Sequence, residues 1–328
     1  YAKSRAGAAP VEITPLSIAD RFTSNSRVFF TADEYGVTMC AGTFLLWWDG
    51  SSATAQRVID PNLPNTITSL TYLKGYTIAA EANTQRFYYA LYGPLDSRSS
   101  PPPWSPLFSS ASAHPDDIVT LGSGWEELFV LGRESTQAHY ASGDADIPFP
   151  ALNGSVSEVG TINNRTLQKL GNTWIFLTPN KQIVRMEGRN PQVISQSIDK
   201  TLRRVRNFID AEAFVLFGRF YVLTFAVDQR TFVYDLTTGL WYRWQAWDRR
   251  ISRYRVYPGI TAVHAKPWGM QMLGGYKGEL FQCDYDYALD DNEPIHVRLR
   301  SAELDHGTLE NKFSSELMMR LRRGESPT

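Results

Sequence analysis

Cysteine is nearly absent: Cys40 and Cys283 are the whole complement of a 328-residue chain. Two cysteines without a CxxC motif make neither a disulfide framework nor a zinc ribbon. Two reduced thiols is the simple reading. The alternative is a bridge between the first and last repeats of a closed ring. Net charge is missing too, at −1, which argues against a global attraction to nucleic acid or an anionic membrane. Charged residues make up 20% of the chain, slightly few, as suits a surface covered by partners. No apolar run approaches the roughly 20 residues that span a bilayer. The N-terminal YAKSRAGAAPVEITPL lacks the hydrophobic stretch of a signal peptide. It also lacks an initiator Met, and so reads as a start inside a longer protein.

Catalytic patterns are equally scarce. His114, His139, His264, His296 and His306 share no HxxxH or HEXXH spacing. There is no GxSxG elbow. Gly122-Ser-Gly124 reads as a turn and lacks the GxxxxGK[ST] of a phosphate loop. Asp284, Asp286, Asp290 and Asp291 are spaced like part of a calcium loop, but the sixth-position Gly is missing and Ile295 stands where the closing Glu belongs. A solvated acidic linker accounts for them. The S-x-D-x-G-x-x-W box of sialidase-type propellers is also missing. Carboxylate pairs for glycoside hydrolysis depend on spatial separation, which sequence does not give. The expectation is a protein with no catalytic residue, no cofactor and no metal.

Aromatic, β-rich stretches dominate what is present. Phe214–Trp247 reads as consecutive antiparallel strands: Val215–Phe217, Phe220–Ala226, Thr231–Leu236 and an outer Leu240–Trp244. Tyr221, Leu223 and Phe225 share one face. Asp235-Leu-Thr-Thr-Gly239 is a tight reversal, with Asp bonding its own backbone and Gly free to take positive φ. One such sheet cannot bury both faces alone. The same strand–Gly–strand pattern recurs around Gly122, Gly171, Gly218 and Gly269, about 50 residues apart, with less regular copies at Gly42 and Gly75. Four short strands per repeat at that period is the arithmetic of a β-propeller.

The expected fold is all-β: a six-bladed β-propeller with one short helix, followed by the start of a second β domain. Residues 1–26 read as an extended arm, either disordered or laid on a neighbouring subunit. The propeller takes 27–291, and 292–328 opens a C-terminal β domain through strands His296–Ala302 and Phe313–Leu321. Strands are also expected at Asp117–Leu121 and elsewhere along the repeats. Pro94–Pro115 reads as a Pro/Ser excursion between blades and Gly143–Gly154 as a second loop. Ile198–Ile209 carries apolar residues at helical spacing, with Ser197 as N-cap.

Two basic stretches are the candidate contact residues: Arg203, Arg204 and Arg206 on that helix, and Arg249, Arg250 and Arg253 within Trp241–Arg255. Arginines interleaved with indoles and phenols can stack on and neutralise nucleic acid. In a neutral chain, tryptophans packed between blades and arginines turned to solvent or to acids of an adjacent subunit is the simpler reading.

The order of motifs resembles the packaged-DNA stabilisation proteins of short-tailed phages, the tail hub or nozzle family. The resemblance is carried by Gly132-Arg-Glu-Ser-Thr136, Ile147-Pro-Phe-Pro150, Gly160-Thr161, Ile194-Ser-Gln-Ser-Ile-Asp199, Val233-Tyr-Asp-Leu-Thr-Thr-Gly239 and Trp241. It continues at Asn292-Glu-Pro-Ile295, Leu304, Gly307 and Asn311-Lys312, and is weak before residue 110. It implies a structural virion protein, assembled in the host cytoplasm, whose copies form a sixfold ring below portal and adaptor. Tail needle, fibre or spike proteins would surround it, and double-stranded DNA would pass without sequence recognition. A lumen that is not strongly basic lets a phosphate backbone slide. Two other classes fit a propeller: a domain that binds or cleaves host-surface glycan, and a kelch-like peptide scaffold.

Overall fold

The computed structural model describes residues 13–15, 28–33, 35–90, 100–124, 126–266, 269–276, 278–286, 289–290, 293–295, 297, 313 and 316. Six sheets follow one another along the chain, each an antiparallel meander with its strands in sequence order except for one added parallel strand in blade 1, as the blades of a propeller require. In blade 1, β1 (Thr14–Pro15) joins the outer edge of β2 (Phe29–Ala32), β3 (Val37–Cys40), β4 (Leu45–Trp48) and β5 (Thr54–Arg57), pairing in parallel with β5. That fragment of the expected arm therefore lies on its own blade. Blade 2 holds β6 (Ile67–Leu73), β7 (Tyr76–Glu81), β8 (Arg86–Ala90) and β9 (Trp104–Ser110). Blade 3 holds β10 (Thr120–Gly124), β11 (Glu127–Leu131) and β12 (Thr136–Tyr140). Blade 4 holds β13 (Gln168–Leu170), β14 (Thr173–Leu177), β15 (Ile183–Glu187) and β16 (Asn190–Val193). Blade 5 holds β17 (Glu212–Leu216), β18 (Phe220–Phe225), β19 (Arg230–Asp235), β20 (Leu240–Asp248) and β21 (Arg253–Val256). Blade 6 holds β22 (Gly259–Ala265), β23 (Met270–Gly275) and β24 (Leu280–Cys283), and a small hairpin follows, β25 (Leu289–Asp290) with β26 (Glu293–Pro294).

Strand periodicity explains how the blades stack. Alternate residues of a strand point to opposite faces, and a central blade has an apolar neighbour on each face. In β18, Tyr221, Leu223 and Phe225 enter the core shared with blade 4, while Val222 packs toward blade 6 with Leu273. In β14, Ile175 and Leu177 face blade 5, and Phe176 faces Phe129 and Leu131 of blade 3. In β11, Leu128 and Val130 turn the other way, to Ile78 and Phe87 of blade 2. In β7, Ala79 turns to Trp47 and Leu45 of blade 1. Each of these strands is therefore apolar at nearly every position rather than at every second one.

Several sequence expectations are corrected. Gly122 lies inside β10 at negative φ, and the β10–β11 turn carries Glu126 at φ 71° instead. The glycine sits in a tight contact instead: a Cβ there would stand 3.2 Å from the Trp174 indole of blade 4, which would have to give by a few tenths of an ångström. Gly171, Gly218 and Gly269 do take positive φ, at 60°, 61° and 62°. Gly42 falls between β3 and β4, one hairpin later than the repeat pattern assigns it. The strand expected at Asp117–Leu121 runs from Thr120 to Gly124. The Pro94–Pro115 excursion contains a true strand, β9. Blade 5 has a fifth strand beyond its expected outer one.

The helix of Ile198–Ile209 shrinks to Gln196–Leu202, a 3-10 turn through Ile198 running into the α-turn α1 (Asp199–Leu202). Ser197 lies within that turn and caps nothing; Ser195 precedes it. Cys40 and Cys283 are not disulfide-bonded and sit in different cores, blades 1–2 and blades 5–6, so the structure does not form the bridge across the ring. The strands expected at His296–Ala302 and Phe313–Leu321 lie outside the described residues apart from Val297, Phe313 and Glu316.

Candidate interaction surface

One end of blade 5 gathers the candidate arginines. After α1 the chain turns through Arg203, Arg204, Val205 and Arg206, with Val205 and Phe208 buried in the core and the arginines left outside. The Asp228 carboxylate, from the β18–β19 turn, accepts the backbone N–H of Arg206 at 3.1 Å and of Asn207 at 3.0 Å. Those two hydrogen bonds, opposed by the carboxylate's partial burial and helped by Arg230 and Arg206, hold Asp228 below its ordinary pKa. Arg204, Arg206, Val227, Asp228 and Arg230 line a shallow groove of about 600 Å³. Arg230 Nη1 donates to Thr201 O at 3.1 Å, which ties β19 to α1. Burial, and then the like charge of Arg230, pulls the Arg243 guanidinium below its ordinary pKa. Arg203 is spent locally, with its Nε 2.9 Å from Asp199 Oδ2.

The second basic stretch reaches the same end. From Leu240 to Trp244, β20 pairs with β19, and from Gln245 to Asp248 it pairs with β21 instead. Because β19 begins at Arg230, those last residues of β20 run past the β18–β19 turn and form a projecting ribbon. Val256 N–H donates to Gln229 Oε1 at 3.1 Å and anchors the ribbon to that turn. Arg249 and Arg250 stand at its tip and Arg253 opens the returning strand. Asp248 is the local counter-ion, 2.5 Å from Arg255 Nη2. The indoles are structural. Trp241 donates to Ile194 O at 2.7 Å and packs at a tilt on Tyr234, and Trp244 packs on Phe220 and Tyr257.

The structure thus brings all six predicted arginines to one end of one blade, with Arg243 and Arg255 of the same basic stretch, and adds Arg230, which sequence reasoning missed. A signal was available: ten arginines but no lysine lie between Lys200 and Lys266. Among the described residues, no three of His, Cys, Asp and Glu gather to hold a metal ion. His139 is buried, with Nδ1 3.0 Å from Phe149 O, and burial lowers its pKa. No described helix is long and apolar enough to cross a membrane.

The class of protein is set by the fold, an all-β propeller of six blades with arginines gathered at one end of blade 5. A family model described as "Bacteriophage P22 Gp10, beta-propeller" matches residues 17–275, the stretch that holds blades 1–6 up to the end of β23. The chain belongs to this phage stabilisation family, whose members are structural proteins of the phage tail, and so it is a virion component. No curated protein matches. Among solved structures, the crystal structure of the computationally designed Ika8 protein is similar at 12% identity, covering 77% of this chain and 69% of that one, with a TM-score of 0.45.

Proposed function

We propose that the protein is a nozzle or hub subunit of the tail. Copies would form a ring, six in number, below portal and adaptor, retain packaged DNA in the filled head and pass it during ejection. The family match across the propeller is the observation that supports this reading. The physics agrees with it. A propeller is a rigid block where its blades pack face to face through apolar cores, as they do here from blade 1 through blade 6. Blocks of that kind keep a channel at fixed width under internal pressure. Needle, fibre or spike proteins would attach around the ring, and assembly would take place in the host cytoplasm before the virion leaves. The groove arginines and the ribbon arginines would meet a neighbouring subunit or the DNA in the channel. The test is electron microscopy of purified tails, together with the DNA content of heads made without the protein. Rings around a channel, and heads that fill and then empty, are the expected results. A single copy per tail, or heads that stay full without it, would overturn the reading.

A further inference from the structure

Resting on the ring reading, we propose that the arginine-rich end of blade 5 docks on the acidic exit of blade 6, Asp284–Asp286, in a second copy of the chain. The two surfaces lie at opposite ends of the propeller. Blade 5 presents its β18–β19 turn, with Val227 and Asp228, at one end and its β17–β18 turn, with Phe217, at the other. The chain leaves β24 at the second end, where Tyr285 stacks on Phe217 with ring centroids 4.2 Å apart. Asp284 and Asp286 flank that ring, both exposed, and the Asp286 N–H donates to Asp284 Oδ1 at 3.2 Å. In sequence Asp290, Asp291 and Glu293 follow, and no lysine or arginine stands between Asp284 and Ile295.

The basic end is built for a protein surface rather than a phosphate backbone. The cations that line the groove are all arginine, as are those of the ribbon, and arginine is enriched at protein interfaces, where lysine is depleted. An exposed apolar side chain lines the groove with them: Val227 is 70% exposed. Ile251, at the ribbon tip between Arg250 and Arg253, is also half exposed. The Arg204 guanidinium has no hydrogen bond or ion pair among the described residues, and Asp228 is the one acid lining the groove against three arginines. An acidic segment carrying an aromatic ring fits that surface in charge and in polarity. A contact between two different faces is heterologous, and heterologous contacts between identical copies generate closed rings or open fibres. A basic end against an acidic end therefore sets both the direction of the ring and its salt dependence.

The test is charge reversal and exchange in the full chain, read by mass photometry and electron microscopy. R204E/R206E should weaken assembly by about tenfold or more, and D284R/D286R should do the same. Both pairs together in one chain should restore rings, because each interface then has its charges swapped. R249E/R250E at the ribbon tip, remote from every core, gives the same direction should the groove variant fail to fold. Rings from R204E/R206E at wild-type concentration, or a combined variant no better than either half, overturn the contact and leave the ring intact. The contact is equally overturned if R204E/R206E loses binding to duplex DNA but still assembles fully. Wild-type protein that never forms rings removes the ring reading, and this contact with it.

Discussion

At the scale of single residues, buried carboxylates and close glycines do most of the organising. Asp235 accepts from Arg219 Nε at 2.7 Å and Nη2 at 2.5 Å, from Thr237 N–H at 2.9 Å and from Thr238 Oγ at 3.0 Å. Arg219 is the main cause of its pKa standing far below the ordinary carboxylate range. A depressed folded pKa adds stability that is complete above the unfolded value, about 3.9, and is lost as pH falls through the folded one. Asp235→Asn should therefore melt well below wild type at pH 7, and the gap should narrow by pH 3. Thermal melts at both pH values check this, and an unchanged gap would refute it. The local half of this site is legible in Asp-Leu-Thr-Thr-Gly, because an Asp bonding its own turn is a short-range rule. Arg219 is not, since only the folded sheet brings it back across 16 residues. Gly160 is similar. Gly160-Thr161 carries part of the family resemblance, but nothing local shows why glycine is required: a Cβ there would lie 2.3 Å from the backbone carbonyl of Arg133. Backbone cannot swing aside as a side chain can, so Gly160→Ala should cost about 3 kcal/mol, measured by denaturant unfolding.

At the scale of elements, the misread segments share one cause: tertiary partners overrode the local pattern. Leu202 and Val205 keep the apolar spacing of a helix and are buried. The helix nevertheless stops, because Asp228 takes the amides of Arg206 and Asn207, and Lys181 Nζ donates to Val205 O at 3.0 Å. Ile209, fourth in that pattern, ends exposed. β9 is hidden from sequence by Pro106, which cannot donate to a ladder. As the outermost strand of its blade it has an unpaired edge where Pro is tolerated. Gly143–Gly154 is a loop by backbone yet supplies core: Phe149 is buried with edge-on contacts to Tyr76 and Phe87. It fills the place beside β12 that a fourth strand occupies in other blades, helped by the His139–Ala151 bridge. Phe149→Ala should destabilise by about 3–5 kcal/mol. A loss under about 1 kcal/mol in chemical denaturation would mean the loop is a passenger.

At the scale of the whole molecule, the repeat of about 50 residues was the legible feature, and the quality of each junction between blades was not. Blades 1–2, 2–3, 3–4, 4–5 and 5–6 each share a buried apolar cluster. Among the described residues no such cluster joins blade 6 to blade 1. The faces concerned can be identified by strand alternation. Phe30 alternates with Phe29, which packs toward blade 2, and is itself 65% exposed. Val263 alternates with Ala262, and Leu280 with Phe281; both partners pack toward blade 5, and the two outward residues are 60% and 59% exposed. In an array stabilised by contacts between neighbours, a unit with one good neighbour opens at lower free energy than a unit with two. Among the described residues blade 6 has three strands and one cluster, whereas blade 4 has four strands and a cluster on each face. Hydrogen exchange on the unassembled subunit should therefore find the β23 amides exchanging at least about tenfold faster than those of β14. Equal protection in the two strands would show that blade 6 is held as firmly as blade 4, and that the junction with blade 1 is sealed in solution.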